Sequence, residues 1–564
     1  METTKISHVA HLVELCANYG ISKVVISPGS RNAPLIIAFE AHPQMEIFLV
    51  HDERSAAFFA LGLAEELKQP VAITCTSGSA AINYASAISE AYYRRIPLLV
   101  LTADRPFEMV DQGDGQTIRQ KNLFANYIKA DFELPSFPSK EMRLISDQIV
   151  NQALNSLINI PQGPVHINIA LTEPLYEIQD LKSLPIVQRE ALKSADLSDR
   201  QKNIIEKGWN NSSKRLVLIG QLAYNSIDQN VLKGLIDDPS VAILVENTSN
   251  IQDFQKICHC IDRTLETIQP DELADFIPDL LITFGGAIIS KKIKSLFRKH
   301  KPTENWRVGQ FLFVEDTYQS LTHSFDVRPE TFLDYLLSLK NLPTSNFGGR
   351  WKQKDFMANS IHVAYLQSLP FSDFKAYELI LDTLPEDSNL HMANSSVVRY
   401  CQLFDPIASV RYYANRGVSG IDGSTSNALG VSLANKNRLN VLITGDTSFF
   451  YDSNALWNNY LPPNLRIILI NNGGGGIFKI LEGSNQSKQI DYFVAPFQAK
   501  AKSICEAFNV NYLCAANVTD LDAIFEEFYT LKDDLRPCLL EIDTRSVENE
   551  KYLKTYFDKI RTFF

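Results

Sequence analysis

The chain has 564 residues and lacks the long apolar stretch that a transmembrane helix requires. No run approaches the roughly 18 apolar residues of a membrane span, and residues 1–8 show no basic start followed by an apolar core. Cysteines number only eight, and Cys258 and Cys260 are the only two that lie close together. Because no second pair follows at zinc-finger spacing, we expect reduced, structural thiols and a cytoplasmic location.

Positive charge is also in deficit, since the formal net charge is −11 at pH 7. This balance disfavours nucleic acid as a partner, although it says nothing about a local basic pocket. The glycine run 473–476 lacks the three-glycine spacing, with an acidic residue about 20 positions later, of a dinucleotide-binding turn. A nicotinamide or flavin oxidoreductase is therefore disfavoured.

Short apolar runs ending in polar loops recur along the whole chain, separated by helix-length segments. This alternation, together with 45% hydrophobic residues, predicts an α/β fold in several domains. The predicted strands are 23–27, 71–75, 98–102, 216–220, 241–245, 280–285, 311–314, 440–444 and 465–470. A polar, charge-rich passage at 181–214 and a Pro/Gly-containing segment around 340–352 divide them, predicting domains 1–185, 186–345 and 346–564.

Two polar motifs near the C-terminus each follow a predicted strand. Gly445-Asp446-Thr447-Ser448 follows strand 440–444, and Asn472 follows strand 465–470. Parallel strands end at the ligand crevice of a sheet, where a helix N-terminus offers N–H groups to a phosphate. A carboxylate, an amide oxygen and a glycine carbonyl suit Mg²⁺ held by a diphosphate. Taken singly, each motif is equally typical of ordinary turn chemistry.

A polar corner near the N-terminus carries Glu53. The apolar run 48–50 reads as a strand end, and an apolar helix follows the corner. Glu53 is a candidate catalytic carboxylate, with helix capping by Asp52 and Glu53 as the alternative.

Four arginines occupy loops at predicted strand ends or beside glycine turns: Arg31, Arg105, Arg399 and Arg416. Guanidinium groups bind carboxylates bidentately, and these corners converge at the mouth of a doubly wound sheet. A solvated surface is the alternative for any one of them.

The combination of Gly-Asp, one helix, a second strand and Asn-Asn resembles the thiamine-diphosphate enzymes. Several longer stretches resemble the menaquinone-pathway carboligases of that family: SPGSRNAPL, HDERSAAFFALGLA, TSGSAAIN, LTADRP, GQTIRQ, NSSVVR, NRGVSGIDG and GDTSFFYDSNAL. The likeness covers nearly the whole chain and is weak in the middle, where Gly285 and Ser290-Lys291-Lys292 carry it. It implies three doubly wound domains with mainly parallel sheets.

The resemblance also implies a reaction and an assembly. A transferase of this kind uses thiamine diphosphate and Mg²⁺, with Mn²⁺ as the alternative ion, to decarboxylate 2-oxoglutarate and add the remaining succinyl unit to isochorismate. Glu53 would bond the pyrimidine nitrogen of the cofactor. The active site would lie between subunits of a homodimer or of a homotetramer built as a dimer of dimers.

Carried over position by position, the resemblance implies roles for particular residues. The implied catalytic residues are Glu53, Gln116, Arg399 and Arg416. The implied metal ligands are Asp446, Asn472 and, through its carbonyl, Gly474. The implied cofactor contacts are Glu53, Ser395, Ile421, Gly445, Asp446, Thr447, Ser448, Asn472, Gly474 and Ile477. The implied substrate contacts are Ser30, Arg31, Arg105, Gln116, Lys291, Ser395, Arg399, Arg416, Phe478 and Leu481.

Some features depart from the pattern. The Gly445-Asp446-Thr447 motif lacks a third glycine, Gly115 precedes Gln116 where relatives can carry a polar residue, and Lys292 replaces an arginine, which leaves its role open. Ile477, Phe478 and Leu481 also fit core packing on an amphipathic helix. Rival interpretations are another thiamine-diphosphate 2-oxo acid decarboxylase, an acetohydroxyacid-synthase-like enzyme, which would not need the arginines, and a catalytically silent relative.

Overall fold

The structure is a computed structural model that describes residues 2–135, 140–180, 196–251, 257–339, 345–481, 483–530 and 535–563. It contains three sheets whose strands all run parallel, one in each part of the chain. Neighbouring residues of one strand enter different hydrophobic clusters: Ala72 and Ile73 lie on opposite faces of the first sheet. Both faces are therefore covered, which confirms the predicted doubly wound α/β class.

The N-terminal sheet has the order β3-β2-β4-β5-β7-β6, and a separate antiparallel pair joins β1 to β8. Its strands are β1 (Glu2–Thr4), β2 (Lys23–Ile26), β3 (Glu46–Leu49), β4 (Val71–Cys75), β5 (Leu98–Asp104), β6 (Asp131–Leu134), β7 (Val165–Ala170) and β8 (Ile178–Asp180). The helices are α1 (Ser7–Asn18), α2 (Ala33–Ala41), α3 (Glu53–Leu67), α4 (Ser79–Asn83), α5 (Ala85–Arg94) and α6 (Lys140–Ile158).

The middle sheet has the order β10-β9-β11-β12-β13. Its elements are α7 (Asp199–Asn211), β9 (Arg215–Ile219), α8 (Gln229–Ile236), β10 (Val241–Val245), α9 (Ile261–Leu265), β11 (Leu280–Phe284), α10 (Lys291–Lys299), β12 (Glu304–Val308), β13 (His323–Phe325) and α11 (Pro329–Ser338).

The C-terminal sheet has the order β15-β14-β16-β17-β19-β18. Its strands are β14 (Asn389–Met392), β15 (Arg411–Tyr413), β16 (Asn440–Gly445), β17 (Leu465–Asn471), β18 (Asn511–Ala515) and β19 (Cys538–Asp543). The helices are α12 (Phe347–Gln367), α13 (Asp373–Thr383), α14 (Ser396–Cys401), α15 (Ser424–Ala434), α16 (Asp446–Tyr451), α17 (Ile477–Ile480), α18 (Ile490–Val494), α19 (Ala501–Ala507), α20 (Val518–Tyr529) and α21 (Asn549–Thr562).

The two outer sheets share one topology. When the strands of each are numbered along the chain, both have the order 2-1-3-4-6-5, and the middle sheet has 2-1-3-4-5. In such sheets ligands bind where the strand order reverses, beyond the carboxyl ends of the first and third strands. Those ends carry Arg31 after β2, Ser395 between β14 and α14, and Asp446 directly after β16.

One predicted strand is wrong. The apolar run 311–314 lies in the loop between β12 and β13, and β12 takes its place in the sheet. The ring of Phe311 lies near the guanidinium groups of Arg95 and Arg307, at 5.5 and 5.3 Å, and Phe313 stacks on Tyr92. The run is apolar because it packs against the N-terminal domain and not because it enters the sheet.

The outer domains are joined by a close crossing of α3 and α15. A Cβ built on Gly62 would lie 2.2 Å from the carbonyl oxygen of Asn427, and one on Gly430 would lie 2.2 Å from that of Phe59. Around this crossing, side chains from both outer sheets, such as Ile73 and Leu442, form one hydrophobic cluster. The N- and C-terminal domains therefore share a core.

The predicted domain boundaries stay predictions. The boundary at 185/186 lies outside the described residues. The boundary at 345/346 immediately precedes α12, whose Phe347 and Trp351 pack into the middle domain, whereas its Ile361 and Tyr365 pack into the C-terminal domain. This helix bridges two cores. Within the described residues, no helix combines the length and apolarity that a membrane crossing demands.

Candidate active site

Asp446 is the buried centre of the C-terminal motif. It is the first residue of α16 and is 1% exposed. Its Oδ2 accepts hydrogen bonds from the backbone N–H groups of Gly473 and Gly474, both at 2.8 Å, and its Oδ1 accepts one from Thr447 N–H at 2.5 Å. Gly473 and Gly474 have φ of +87° and +132°, which side chains rarely adopt. Burial raises the pKa of Asp446, and these N–H groups oppose the rise.

Asn472 follows β17 and is held by a carboxylate that the sequence analysis missed. Its Nδ2 donates to Oδ2 of Asp373 at 2.8 Å, so its Oδ1 is left as an acceptor without a donor among the described residues. Asp373 is 2% exposed and also accepts from Thr544 Oγ1 at 2.5 Å. Burial raises its pKa to about 6, and the nearby charge of Asp446 adds to the rise. In the sequence, Ser372-Asp373 signals only a helix cap.

These residues fit a magnesium-diphosphate group. The described residues contain no cluster of three His, Cys, Asp or Glu side chains that could hold an ion alone. The oxygen atoms available as metal ligands are those of the Asp446 carboxylate, the Asn472 amide and the Gly474 carbonyl. The last also accepts a hydrogen bond from Gly476 N–H at 2.8 Å. Such a mixed oxygen set suits an ion whose remaining ligands come from phosphate.

The residues after Asp446 complete this corner. Thr447 Oγ1 lies 3.2 Å from Asp446 Oδ1, and Ser448 Oγ donates to the carbonyl of Ile421 at 2.6 Å. Gly445 ends β16. The structure thus brings Ile421 to the start of α16, where the sequence analysis expected a cofactor contact.

Glu53 is the first residue of α3 and is not its cap. The capping bond is made by Asp52, whose Oδ1 accepts from Ser55 N–H at 3.0 Å. Glu53 is half-buried, burial raises its pKa, and its charge in turn raises the pKa of Cys75 and Tyr84. A half-buried carboxylate with a raised pKa is suited to exchange a proton with a bound base.

The corner around Glu53 touches the helix that begins at Asp446. Asn454 Nδ2 donates to Asp52 Oδ2 at 2.7 Å, and Arg54 donates to the carbonyl of Tyr451, the last residue of α16, at 2.6 Å. The Arg54 guanidinium also lies 4.5 Å from the centre of the Tyr451 ring. Because α16 has six residues, its two ends are separated by only about 9 Å.

All four arginines keep an open donor. The Nε atoms of Arg31, Arg105, Arg399 and Arg416 are buried and have no hydrogen-bond partner among the described residues. Arg31 donates to Leu171 O at 2.9 Å and contacts Glu173. Burial lowers the pKa of Arg31, and the like charge of Arg105 lowers it further. A buried guanidinium N–H without an acceptor is unfavourable unless a ligand supplies one.

Arg399 and Arg416 form a second pair. Arg416 is 8% exposed and donates to Asn394 Oδ1 at 2.7 Å. Burial lowers its pKa, Glu246 opposes this, and the like charge of Arg399 adds to it. Ser395, just before α14, has φ of +71°, a strained conformation for a non-glycine residue that is typical of ligand sites.

Gln116 and Arg105 are held by a buried polar network that the sequence analysis missed. Gln116 has φ of +55°, and its carbonyl accepts from Ser77 Oγ at 2.9 Å. Gln120 accepts from Gly78 N–H at 2.8 Å and donates to Asn168 Oδ1 at 3.0 Å.

The same hydrogen-bond network continues to Arg105. Asn168 donates to Asp104 at 2.8 Å, and the other oxygen of Asp104 accepts from Arg105 N–H at 2.7 Å. Asn168 and His166 are polar residues inside the buried strand β7. That pattern was an available signal.

The remaining polar residues expected to contact substrate are exposed. Ser30 is exposed. Lys291 is exposed at the first position of α10 and has no ion pair among the described residues, whereas Lys292 pairs with Glu266 and lies 3.6 Å from the centre of the Phe557 ring. Lys292 is thus engaged by contacts within the described part of the fold, whereas Lys291 is not.

The apolar residues of the short helix α17 are only half-buried. Ile477, Phe478 and Leu481 all retain exposure, and α17 has no buried residue. Phe478 packs against Phe493 with ring centres 5.9 Å apart. This placement favours the wall of a site over core packing.

Comparison with known proteins agrees with this geometry. Residues 7–123 match the thiamine pyrophosphate enzyme N-terminal TPP binding domain, and residues 395–542 match the C-terminal TPP binding domain. The chain is 41% identical to 2-succinyl-5-enolpyruvyl-6-hydroxy-3-cyclohexene-1-carboxylate synthase of Christiangramia forsetii, over 100% of both chains. It is 40% identical to the synthase of that name from Flavobacterium johnsoniae, over 99% of both chains. It is 36% identical to that of Porphyromonas gingivalis, over 98% of this chain and 97% of the relative.

Proposed function

Because the chain belongs to the 2-succinyl-5-enolpyruvyl-6-hydroxy-3-cyclohexene-1-carboxylate synthase family, we propose that it decarboxylates 2-oxoglutarate and joins the succinyl unit to isochorismate. The reaction belongs to menaquinone biosynthesis and uses thiamine diphosphate with Mg²⁺. The bond between the keto carbon of 2-oxoglutarate and the adjacent carboxylate breaks, which releases carbon dioxide. One carbon–carbon bond to isochorismate forms, and no external oxidant or reductant is needed.

One observation carries the substrate assignment: the four arginines described above each have a buried Nε donor that finds no acceptor among the described residues. Both substrates are dicarboxylates, and arginine forks bind carboxylates in two-point contacts. Arg31 with Arg105, and Arg399 with Arg416, are mutually repelling pairs that a bound anion would stabilise.

The chain's residues divide the work between cofactor and substrate. Thiamine diphosphate, when bound, supplies the nucleophilic carbon and the electron sink. Asp446, Asn472 and Gly474 would hold the ion, with Thr447 and Ser448 beside the diphosphate. Glu53 would hold the proton exchanged at the pyrimidine nitrogen. A raised pKa suits that role, because a carboxyl that is protonated part of the time can both donate and accept.

The second half of the site would handle the substrates. Ser30, Arg31, Arg105, Gln116, Ser395, Arg399 and Arg416 would position the carboxylates and hydroxyls, and Lys291 would approach from the middle domain. Ile421, Ile477, Phe478 and Leu481 would supply an apolar wall. Such a wall would keep water away from the reacting carbon.

The assembly and location are part of the proposal. We expect a homodimer or a dimer of dimers, in which Glu53 of one protomer completes the site of another. We also expect a cytoplasmic enzyme, which is supported by eight cysteines that are all free thiols, as in a reducing compartment.

A direct assay tests the function. Purified protein with Mg²⁺ and thiamine diphosphate should consume isochorismate when 2-oxoglutarate is supplied, and should not do so with pyruvate as the donor. Equal use of pyruvate would indicate a decarboxylase or an acetohydroxyacid-synthase-like enzyme. No turnover with either donor would indicate a silent relative.

A further inference from the structure

A buried polar corner of the middle domain touches both elements that carry substrate-facing cations. Its residues, Glu246–Asn250, directly follow β10, and all five are buried. Five consecutive buried polar residues are costly unless each finds partners, so a corner of this kind is expected to serve a purpose.

Glu246 holds the start of α10. Its Oε2 accepts from Ile289 N–H at 2.6 Å, and its Oε1 accepts from Ser290 N–H at 2.7 Å. Ser290 is the N-cap of α10, since its Oγ accepts from Ile293 N–H at 3.1 Å. Lys291 is the next residue. Both carboxylate oxygens of Glu246 thus fix the two residues immediately before Lys291.

The neighbouring residues of the corner hold the C-terminal domain. Asn247 N–H donates to Gln402 Oε1 at 3.0 Å, and Asn247 Nδ2 donates to Cys401 O at 2.9 Å. Cys401 ends α14, the helix of Arg399. Asn250 exchanges two hydrogen bonds with Tyr412 in β15, which leads to Arg416.

The electrostatic environment of Glu246 matches this placement. Its side chain is 0% exposed. Burial raises the pKa of Glu246 to about 7, the two backbone N–H groups and Arg416 oppose the rise, and Asp262 adds to it. Burial lowers the pKa of Lys294, the charge of Glu246 opposes this, and the charges of Arg416 and Arg399 add to it. Glu246 is therefore a buried carboxyl group among the cations of the site.

We propose that Glu246 is a positioning residue that sets Lys291 against Arg399 and Arg416, so that cations from two domains meet the carboxylates of one substrate. The proposal rests on the function proposed above. Glu246 itself is fully buried and touches no substrate. It acts through the two N–H groups before Lys291, while Asn247 fixes the same corner to the arginine-bearing helix.

The test replaces Glu246 in the full-length holoenzyme. Glu246→Gln keeps the shape but presents an NH₂ group to one of two backbone donors, so the loop must shift. We expect the KM for 2-oxoglutarate or isochorismate to rise about tenfold, the size expected when a buried donor loses its acceptor, with a much smaller change in kcat. The dissociation constant of thiamine diphosphate should stay at the wild-type value.

A matched control is a second carboxylate that contacts the same helix. Glu266→Gln removes the carboxylate that pairs with Lys292 of α10 but does not face the corner. We expect a wild-type KM for this variant. An equal rise in KM for both variants, or a fall in kcat without a rise in KM for Glu246→Gln, would mean that Glu246 serves stability only and would overturn the proposal.

Two further variants keep the test decisive. In a Lys291→Ala background, Glu246→Gln should raise the KM little further, because the lysine through which Glu246 acts is gone. Two independent rises in KM would overturn the proposal. Glu246→Asp keeps the charge but shortens the reach, so we expect it to raise the KM as well, and a wild-type KM would assign Glu246 to charge balance alone. Wild-type protein that turns over neither substrate would reject the proposed function, which is a separate result.

Discussion

At the residue scale, the orientation of Asn472 depends on a carboxylate far away in sequence. An amide can present its oxygen or its nitrogen, and the bond from Nδ2 to Asp373 at 2.8 Å decides which group is left open. Partners behind a metal ligand commonly change metal affinity as strongly as some ligands do. Asp373 is therefore expected to matter for the ion without touching it.

Replacing Asp373 by asparagine should weaken Mg²⁺ binding. Both Thr544 Oγ1 and Asn472 Nδ2 now donate to Asp373. If the new NH₂ group faces Asn472, the amide loses the acceptor that orients it, and if it faces Thr544, Asn472 keeps only a neutral and weaker acceptor. We expect a rise of about tenfold or more in the Mg²⁺ concentration that half-saturates thiamine diphosphate binding, measured by titration of the cofactor-loaded protein. Asp382→Asn, at an exposed position of the same helix, should leave that concentration unchanged. Equal values for both variants would remove Asp373 from the ion site.

The residues that sequence reasoning found share a visible position. Asp446, Asn472 and Arg31 each follow an apolar run that reads as a strand, and parallel strand ends converge on ligands. Asp373 and Glu246 could not be found this way. Asp373 begins a helix like any capping acid, and Glu246 acts through backbone groups of a loop some 40 residues later, a contact that exists only after folding.

At the element scale, eight of the nine apolar runs predicted as strands are strands, because buried parallel strands are apolar on both faces. Val71–Cys75 and Val241–Val245 agree with the prediction to the residue. The failure is equally instructive. β12 carries Asn305 and Arg307, which are buried with polar partners, so it reads as a polar segment, and the apolar run after it was taken for the strand.

The network beneath Gln116 and Arg105 should control substrate binding. Gln120→Glu keeps the acceptor for Gly78 N–H but replaces the NH₂ group that donates to Ala103 O and Asn168 Oδ1. An oxygen facing two acceptors is repulsive, so we expect a loss of about 1–3 kcal/mol in unfolding free energy. We also expect a raised KM for the substrates, with unchanged cofactor affinity.

Steady-state kinetics and urea unfolding measure both quantities. Gln112→Glu, at an exposed position of the same segment, is the control and should match the wild type in each. A Gln120→Glu variant with reduced stability but an unaltered KM would show that the network supports the fold and not the site.

At the scale of the whole molecule, the position of the active site relative to the subunits can be tested by mixing two inactive variants. Glu53→Gln should bind thiamine diphosphate but lose turnover, and Asp446→Asn should lose the ion. If Glu53 and Asp446 of different protomers form one site, a mixed dimer contains one intact site. Random mixing should then restore about a quarter of the wild-type activity.

The measurement is activity after exchange of differently tagged subunits, with capture through both tags to show that mixed dimers formed. Mixed dimers without activity would place Glu53 and Asp446 of one chain in the same site. That outcome is the alternative suggested by two contacts within one chain, of Arg54 with the end of α16 and of Asp52 with Asn454.

Acid stability should depend on histidines that are buried without charge. Burial lowers the pKa of His362 to about 3, with Arg263 adding to the effect. The folded state keeps His362 neutral, whereas in the unfolded state this side chain takes up a proton below about pH 6.5. The contribution of His362 to the unfolding free energy is therefore complete above that pH and is lost as the pH falls. The loss is about 1.4 kcal/mol per pH unit below 6.5.

His362→Asn should therefore have a lower unfolding free energy than the wild type at pH 8. The difference in unfolding free energy between the two proteins should be smaller by about 2 kcal/mol at pH 5. Urea unfolding at the two pH values measures the change, and raised carboxyl pKa values, such as that of Asp452 at about 6, are common to both proteins. His323→Asn, in which a half-exposed ring is replaced, is the control. A gap at His362 that does not change with pH would contradict the assignment.

The tight crossing of α3 and α15 sets a dimension of the enzyme. Each glycine faces the other helix's carbonyl so closely that a single methyl group would push the two backbones apart. Gly62 lies on the helix that begins with Glu53, and a helix is stiff, so any widening at the crossing is carried to its first turn. How far the Glu53 carboxylate reaches toward the vitamin thus depends on the absence of a side chain at Gly62 and Gly430. These two positions should be checked first before a related sequence is assigned the same activity.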